Sequence, residues 1–197
     1  MVTTNKSRTR GRPRRFDPEA AVATAQRLFH ARGYDAVSVA DVTDALGINP
    51  PSFYAAFGSK AGLYQRVLDH WTDTEAIPLA DILRADVPVS TALAAMLEDA
   101  ARRYASGPAA GGCLVLEGTR CNDDGAREAA RVLNLGAEAF IRDYVAARHP
   151  DAADEVTDFV STTMSGLSAK ARSGHDLPRL LATARLAGRV LAQILPA

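Results

Sequence analysis

Six basic residues, Lys6, Arg8, Arg10, Arg12, Arg14 and Arg15, stand in the first fifteen positions with no acid among them. Such side chains on a stretch too polar to pack either neutralise phosphates and release their counterions, or simply solvate a tail. His30, His70, His149 and His175 are scattered, with no HExxH, no Cys/His metal spacing and no nucleophile elbow. Hydrolytic and metal-centred chemistry therefore find no constellation, and neither a cofactor nor a metal site is expected. One thiol is chemically suggestive. Cys113 follows Gly111-Gly112, and a helix starting there would favour the thiolate through its dipole. The plain alternative is a small buried apolar residue. Cys121 makes a poor disulfide partner, because eight residues along one helix is about 12 Å and bridged Cα atoms lie within roughly 7 Å.

The 197-residue chain has a net charge of zero, which taken alone argues against nucleic acid. The distribution argues for it. The first 70 residues carry 10 Lys and Arg against 6 Asp and Glu, and the remainder 13 against 17, so a +4 head sits on a −4 body. That asymmetry is expected of a protein that touches nucleic acid with one end. With 47% hydrophobic and only 6% aromatic residues, and alanine abundant, the composition favours close-packed helices and needs no disulfide or metal staple. No apolar run approaches the roughly 20 residues that span a bilayer. The basic N-terminus lacks the apolar stretch of a signal peptide. A cytoplasmic protein without membrane contact is expected.

Local signals place the elements that would carry this chemistry. Asp17-Pro18-Glu19 combines an N-cap, a first-turn proline and an acid, and the helix it opens ends at Gly33. Ser38 to Asp41 is a capping-box pattern, and Gly47 supplies the turn after a short helix. Asn49-Pro50 opens another helix, with Phe53 and Phe57 buried at i, i+4, closed by Gly58. Ser59-Lys60 starts a fourth, with Leu63, Val67 and Trp71 as its stripe, running to about Ile77 before Pro78. Further helices are expected near 88–105, 112–120, 125–148, 151–173 and 178–195. No segment alternates with period 2, so the fold is all-α.

The two short helices from Ser38 to Phe57, joined by a tight glycine turn, have the form of a helix-turn-helix. The run Thr43-Asp44-Ala45-Leu46-Gly47-Ile48-Asn49-Pro50-Pro51-Ser52-Phe53-Tyr54-Ala55-Ala56-Phe57-Gly58-Ser59-Lys60 resembles the signature of TetR/AcrR transcriptional regulators. Phe29-His30-Ala31-Arg32-Gly33-Tyr34 and the lead-in Arg10-Gly11-Arg12-Pro13-Arg14 fit the same pattern. The match covers residues 10–71. The resemblance implies a basic arm over 1–15, a DNA-binding unit over 16–58, a connecting helix over 59–77, and a ligand-binding and dimerisation domain over 78–197. It also implies a homodimer on near-palindromic double-stranded operator DNA, released when a small-molecule inducer moves the fourth helix.

Carried over by position, Ser52 and Tyr54 are the contact residues of the recognition helix, with Lys60 adding charge at the start of the fourth. Asn49 is either a base reader or a plain N-cap. Ser38 completes the set. The recognition helix departs from the family in lacking Arg, Lys and Gln, so the strongest bidentate base contacts are absent. Apolar contact of Pro51 or Ala55 with thymine methyls, and Arg12 and Arg14 laid in a flanking minor groove, would carry more of the readout.

Gly111-Gly112-Cys113-Leu114 resembles a glycine-cysteine-leucine motif of one subgroup, some members of which sense oxidants or electrophiles. The likeness extends to residues 166–172, where Lys170 would add positive charge if it packs near Cys113. The candidate pocket is Trp71, Tyr104, Cys113, Glu117, Phe140, Phe159, Met164 and Lys170. The candidate dimer surface is Phe159 with Leu180, Ala184, Ala187, Leu191 and Ile194, which follow helical spacing. An enzyme and a purely architectural DNA-binding protein are the rival readings. The first lacks a constellation, and the second leaves about 120 residues of packed helix without a task.

Overall fold

A computed structural model describes residues 17–106 and 111–195 and is helical throughout these residues, without strands. Among them ten α-helices follow one another: α1 (Pro18–Arg32), α2 (Val39–Leu46), α3 (Pro50–Phe57), α4 (Lys60–Thr74), α5 (Leu79–Ile82), α6 (Val89–Tyr104), α7 (Leu114–Gly118), α8 (Asp124–Ala146), α9 (Ala153–Arg172) and α10 (Leu177–Ile194). A 3₁₀ turn (Pro150–Ala152) leads into α9. The first four start on the side-chain caps their sequences announce. Asp17 accepts from the Glu19 amide at 3.0 Å, Ser38 from Asp41 at 3.1 Å, Asn49 from Ser52 at 2.9 Å and Ser59 from Gly62 at 2.9 Å. Gly47 adopts the left-handed conformation (φ 64, ψ 35) that turns α2 into α3.

Two apolar cores form. The first joins α1, α2, α3 and α4 around Phe29, Phe53, Leu63, Tyr64 and Val67, and it also takes in Leu114, Cys121, Ala126 and Ala130 from α7, α8 and the loop between them. The second is built by α6, α8, α9 and α10, with Leu93, Met96, Leu97, Ile141, Val160 and Leu191 fully buried. Within it α10 lies close along α6. A Cβ placed on Gly188 would stand 2.9 Å from the Ala94 Cβ, so only small residues admit this approach.

Three expectations change. The fourth helix stops at Thr74 and not near Ile77, and a one-turn helix, α5, follows Pro78. The helix expected over 112–120 shrinks to α7, because Gly112 takes φ +64 and Cys113 is extended, leaving Gly111 to Cys113 outside it. Leu180, Ala184, Ala187 and Leu191, expected on a dimer surface, belong to the protomer's own core against α6. Their spacing marks a buried face correctly, but the cover is this chain and not a second copy.

Candidate nucleic-acid interface and ligand cavity

The helix-turn-helix is held by its buried side. Phe53 is fully buried and touches Phe57, with ring centroids 5.5 Å apart. Turning those two rings inward leaves Pro51, Ser52, Tyr54 and Ala55 exposed on α3, with Tyr54 52% exposed. The Asn49 side-chain oxygen is occupied as N-cap of α3. Ser38 is occupied too. Its hydroxyl and amide both donate to Asp41, and hydrogen bonding from Ser38 and Arg32 holds the Asp41 carboxyl well below the usual carboxylate range. Arg32 also donates to the Ala36 carbonyl at 2.6 Å, so it braces α1 against α2.

Lys60 takes a position its sequence context does not suggest. Its ammonium lies 3.9 Å over the Tyr34 ring, and burial lowers its pKa against the pull of Asp35 and Asp123. The charge faces the seam between the α1–α2 loop and the start of α8, where Asp35 accepts from the Asn122 amide at 3.1 Å. It is not presented on the face of α3. Arg12 and Arg14 lie outside the described residues.

Away from α3, the far end of α4 walls a cavity of about 540 Å³. Trp71, Thr72 and Glu75 come from α4 and its cap, Arg103 and Tyr104 from α6, Cys113 and Leu116 from α7 and its N-cap, Val132, Leu133, Glu138 and Phe140 from α8, and Met164 from α9. Val132 and Phe140 are also exposed, at 59% and 44%, so the cavity meets solvent beside α8. Its wall is mostly apolar. Arg103 is tied to Asp99 at 2.5 Å and to the Glu75 carbonyl at 3.2 Å.

Of the expected pocket residues, Trp71, Tyr104, Cys113, Phe140 and Met164 reach this lining and the other three do not. Glu117 turns the other way and pairs with Arg172 at 3.2 Å. Phe159 packs against the second core, and Lys170 is exposed. The lining residues Leu116, Leu133 and Glu138 are not marked by spacing, since a helix face toward a cavity has the pattern of one toward a core.

Cys113 departs from its expected chemistry. Burial pushes its thiol up, outweighing the amides of Leu116 and Val115, the Tyr104 hydroxyl that donates to the sulfur, and the charge of Arg172. The charged neighbour is thus Arg172 and not Lys170, and a helix of five residues does not secure a thiolate. Both cysteines are free. Among the described residues no group of three His, Cys, Asp or Glu side chains could hold a metal, and no helix is long and apolar enough to cross a membrane.

Comparison with known proteins agrees with this architecture. The family model for bacterial regulatory proteins of the tetR family matches residues 21–67, which run from α1 into α4. The HTH-type transcriptional repressor BdcR of Escherichia coli (strain K12) is 58% identical over 195 residues, 99% of each chain. ComR, an HTH-type transcriptional repressor of the same strain, is 29% identical over 93% of this chain and 91% of its own. The TetR family transcriptional regulator CifR, solved as a cysteine mutant complexed with a 26 bp double-strand operator DNA, superposes with a TM-score of 0.80. It is 30% identical, with 90% of this chain and 98% of that chain covered. From capped helix-turn-helix to walled cavity, the chain belongs to the TetR family of bacterial regulatory proteins.

Proposed function

We propose that this chain represses transcription as a homodimer on a near-palindromic operator, and that a small, largely apolar molecule in the α4 cavity releases it. The observation that carries the reading is the course of α4. One end of this helix follows α3 after only Gly58 and Ser59, while Trp71 near the other end lines the cavity. Displacing Trp71 therefore moves the support of α3. In this reading residues 16–58 form the DNA-binding unit, 59–77 the connection and 78–197 the sensing and dimerising domain. Ser52, Tyr54 and Pro51 meet the DNA, and Arg12 and Arg14 add the flanking contacts.

The second copy docks on α10. Leu186, Val190 and Ile194 recur at i, i+4, i+8 and are 54%, 37% and 48% exposed, on the side turned away from α6. Membership of a family of regulators sets the enzyme reading aside. Selection of binding sites from random DNA tests the proposal, with an inverted repeat expected. Tyr54→Ala should then weaken binding to that repeat by roughly tenfold or more per half-site, with only a small fall in melting temperature because the half-exposed ring gives up an edge-on contact with Phe53. An asymmetric or unselective DNA preference would refute the reading.

A second reading places the chain in the glycine-cysteine-leucine subgroup, with Cys113 as the sensor. It is favoured by the sulfur on the cavity wall beside the Tyr104 hydroxyl. Since the thiol is held protonated, reactivity requires an electrophile that the cavity first binds, an activated alkene whose β-carbon the sulfur attacks as the double bond opens and the proton ends on the α-carbon. A modified side chain would overfill packed surroundings. Cys113→Ser should keep operator binding and lose release by a small apolar electrophile, with the adduct mapped to Cys113 by mass spectrometry. Equal release from both proteins returns induction to non-covalent binding.

A further inference from the structure

The two glycines before Cys113 have a steric explanation that points to α1. A Cβ on Gly111 would stand 2.5 Å from Nε2 of His30, in the last turn of α1. A Cβ on Gly112 would stand 2.6 Å from the Ser168 hydroxyl of α9. The backbone here is thus pinched between the DNA-binding unit and the sensing domain. Polar contacts hold it there. His30 Nε2 lies 2.9 Å from the Gly112 carbonyl, which can only accept, so Nε2 carries the proton. Ser168 accepts from the Cys113 amide at 2.9 Å. On its other side the His30 carbonyl accepts from Arg172 at 3.1 Å, and Arg172 pairs with Glu117. The His30 ring also meets Trp71 edge-on, with centroids 4.8 Å apart.

His30 is therefore linked to two residues of the cavity wall. It contacts Trp71 directly and reaches Cys113 through one peptide unit. We propose that His30 is a coupling residue, through which the contents of the cavity act on α1 as well as on α4. The inference rests on the regulator reading above. It assigns the glycine pair a task independent of thiol chemistry, namely to let α1 and α9 close on the segment that ends in Cys113. Motion of that segment pulls on His30, and α1 carries the pull to α2 through Arg32 and Asp41.

Operator that favours one arrangement of α1 shifts the population of the arrangement coupled to it at Cys113, so the link can be read without knowing the inducer. The probe is the rate at which Cys113 reacts with a small maleimide, in the full-length Cys121→Ser protein, with and without the selected operator. With His30 present, operator should change that rate about fivefold or more, the lower range of allosteric coupling. His30→Phe keeps an aromatic ring beside Trp71 but has no donor for the Gly112 carbonyl, and should bring the operator effect within twofold. His30→Gln, whose amide nitrogen can reach that carbonyl, should restore most of it. Arg172→Met, which removes the bond to the His30 carbonyl from the opposite side, should reduce the effect if the Phe variant folds poorly. Three results overturn the inference: a rate in the parent protein that operator leaves unchanged, a His30→Phe protein that keeps the full operator effect, or a His30→Gln protein that restores no more of it than Phe retains. Absence of any selected operator defeats the regulator reading itself, a distinguishable failure.

Discussion

Glutamate substituted for both Leu186 and Val190 should leave a folded monomer that no longer holds its full operator. These side chains stand exposed on α10 with Ile194 while the opposite face is sealed against α6. A contiguous apolar stripe left exposed on a helix whose other apolar face is already covered marks an association surface. In a twofold interface the same patch serves both copies, so two substitutions remove four apolar side chains and bring four carboxylates together. At roughly 1.5 kcal/mol for each lost side chain the dimer weakens by about 6 kcal/mol, some 10⁴-fold. Operator affinity should fall with it, because one short recognition helix reads too few base pairs alone. Sedimentation and an operator titration check both halves, and the melting temperature of the monomer separates this outcome from misfolding. A doubly substituted protein (Leu186→Glu with Val190→Glu) that sediments as a dimer would place the interface elsewhere.

Phe53→Ala should be far more damaging than Tyr54→Ala, though the residues are neighbours. Phe53 is fully buried against Phe57, and deleting such a ring costs about 3–5 kcal/mol, a large part of a domain's 5–15 kcal/mol. Its core also contains Leu114, Ala126 and Ala130 from the second half of the chain. The loss should consequently lower one shared thermal transition, rather than melt a separate DNA-binding unit under an unaffected sensing domain. Phe53→Leu should recover much of the deficit. Calorimetry decides between the two patterns, and two well-separated transitions would mean that the first core is not shared in practice.

What the sequence made legible follows from how local the determining interactions are. Asp17, Ser38, Asn49 and Ser59 cap helices through atoms two or three residues away, and Gly47 turns the chain through its own backbone. Those elements can be read from short windows. Gly111 and Gly112 cannot, since the atoms a Cβ would meet belong to His30 and Ser168, far along the chain, and the pair, despite the positive φ that Gly112 takes, reads locally as a helix start. Spacing identified Leu180, Ala184, Ala187 and Leu191 as a face to be covered but not the partner that covers it. Charge was the least legible. Lys60 and Glu117 turn to Tyr34 and Arg172, partners that only the assembled helices supply.

The shared first core has a bearing on biosynthesis. Helices α1, α2, α3 and α4 emerge from the ribosome well before Leu114, Ala126 and Ala130, which close the underside of their core. At roughly 5–20 residues per second, several seconds of translation separate the two. A nascent helix-turn-helix thus waits with apolar surface uncovered until the sensing half arrives. Truncated products ending before α7 would lack both the cavity and a finished reading head, so an interrupted message yields no constitutive repressor that an inducer is unable to lift.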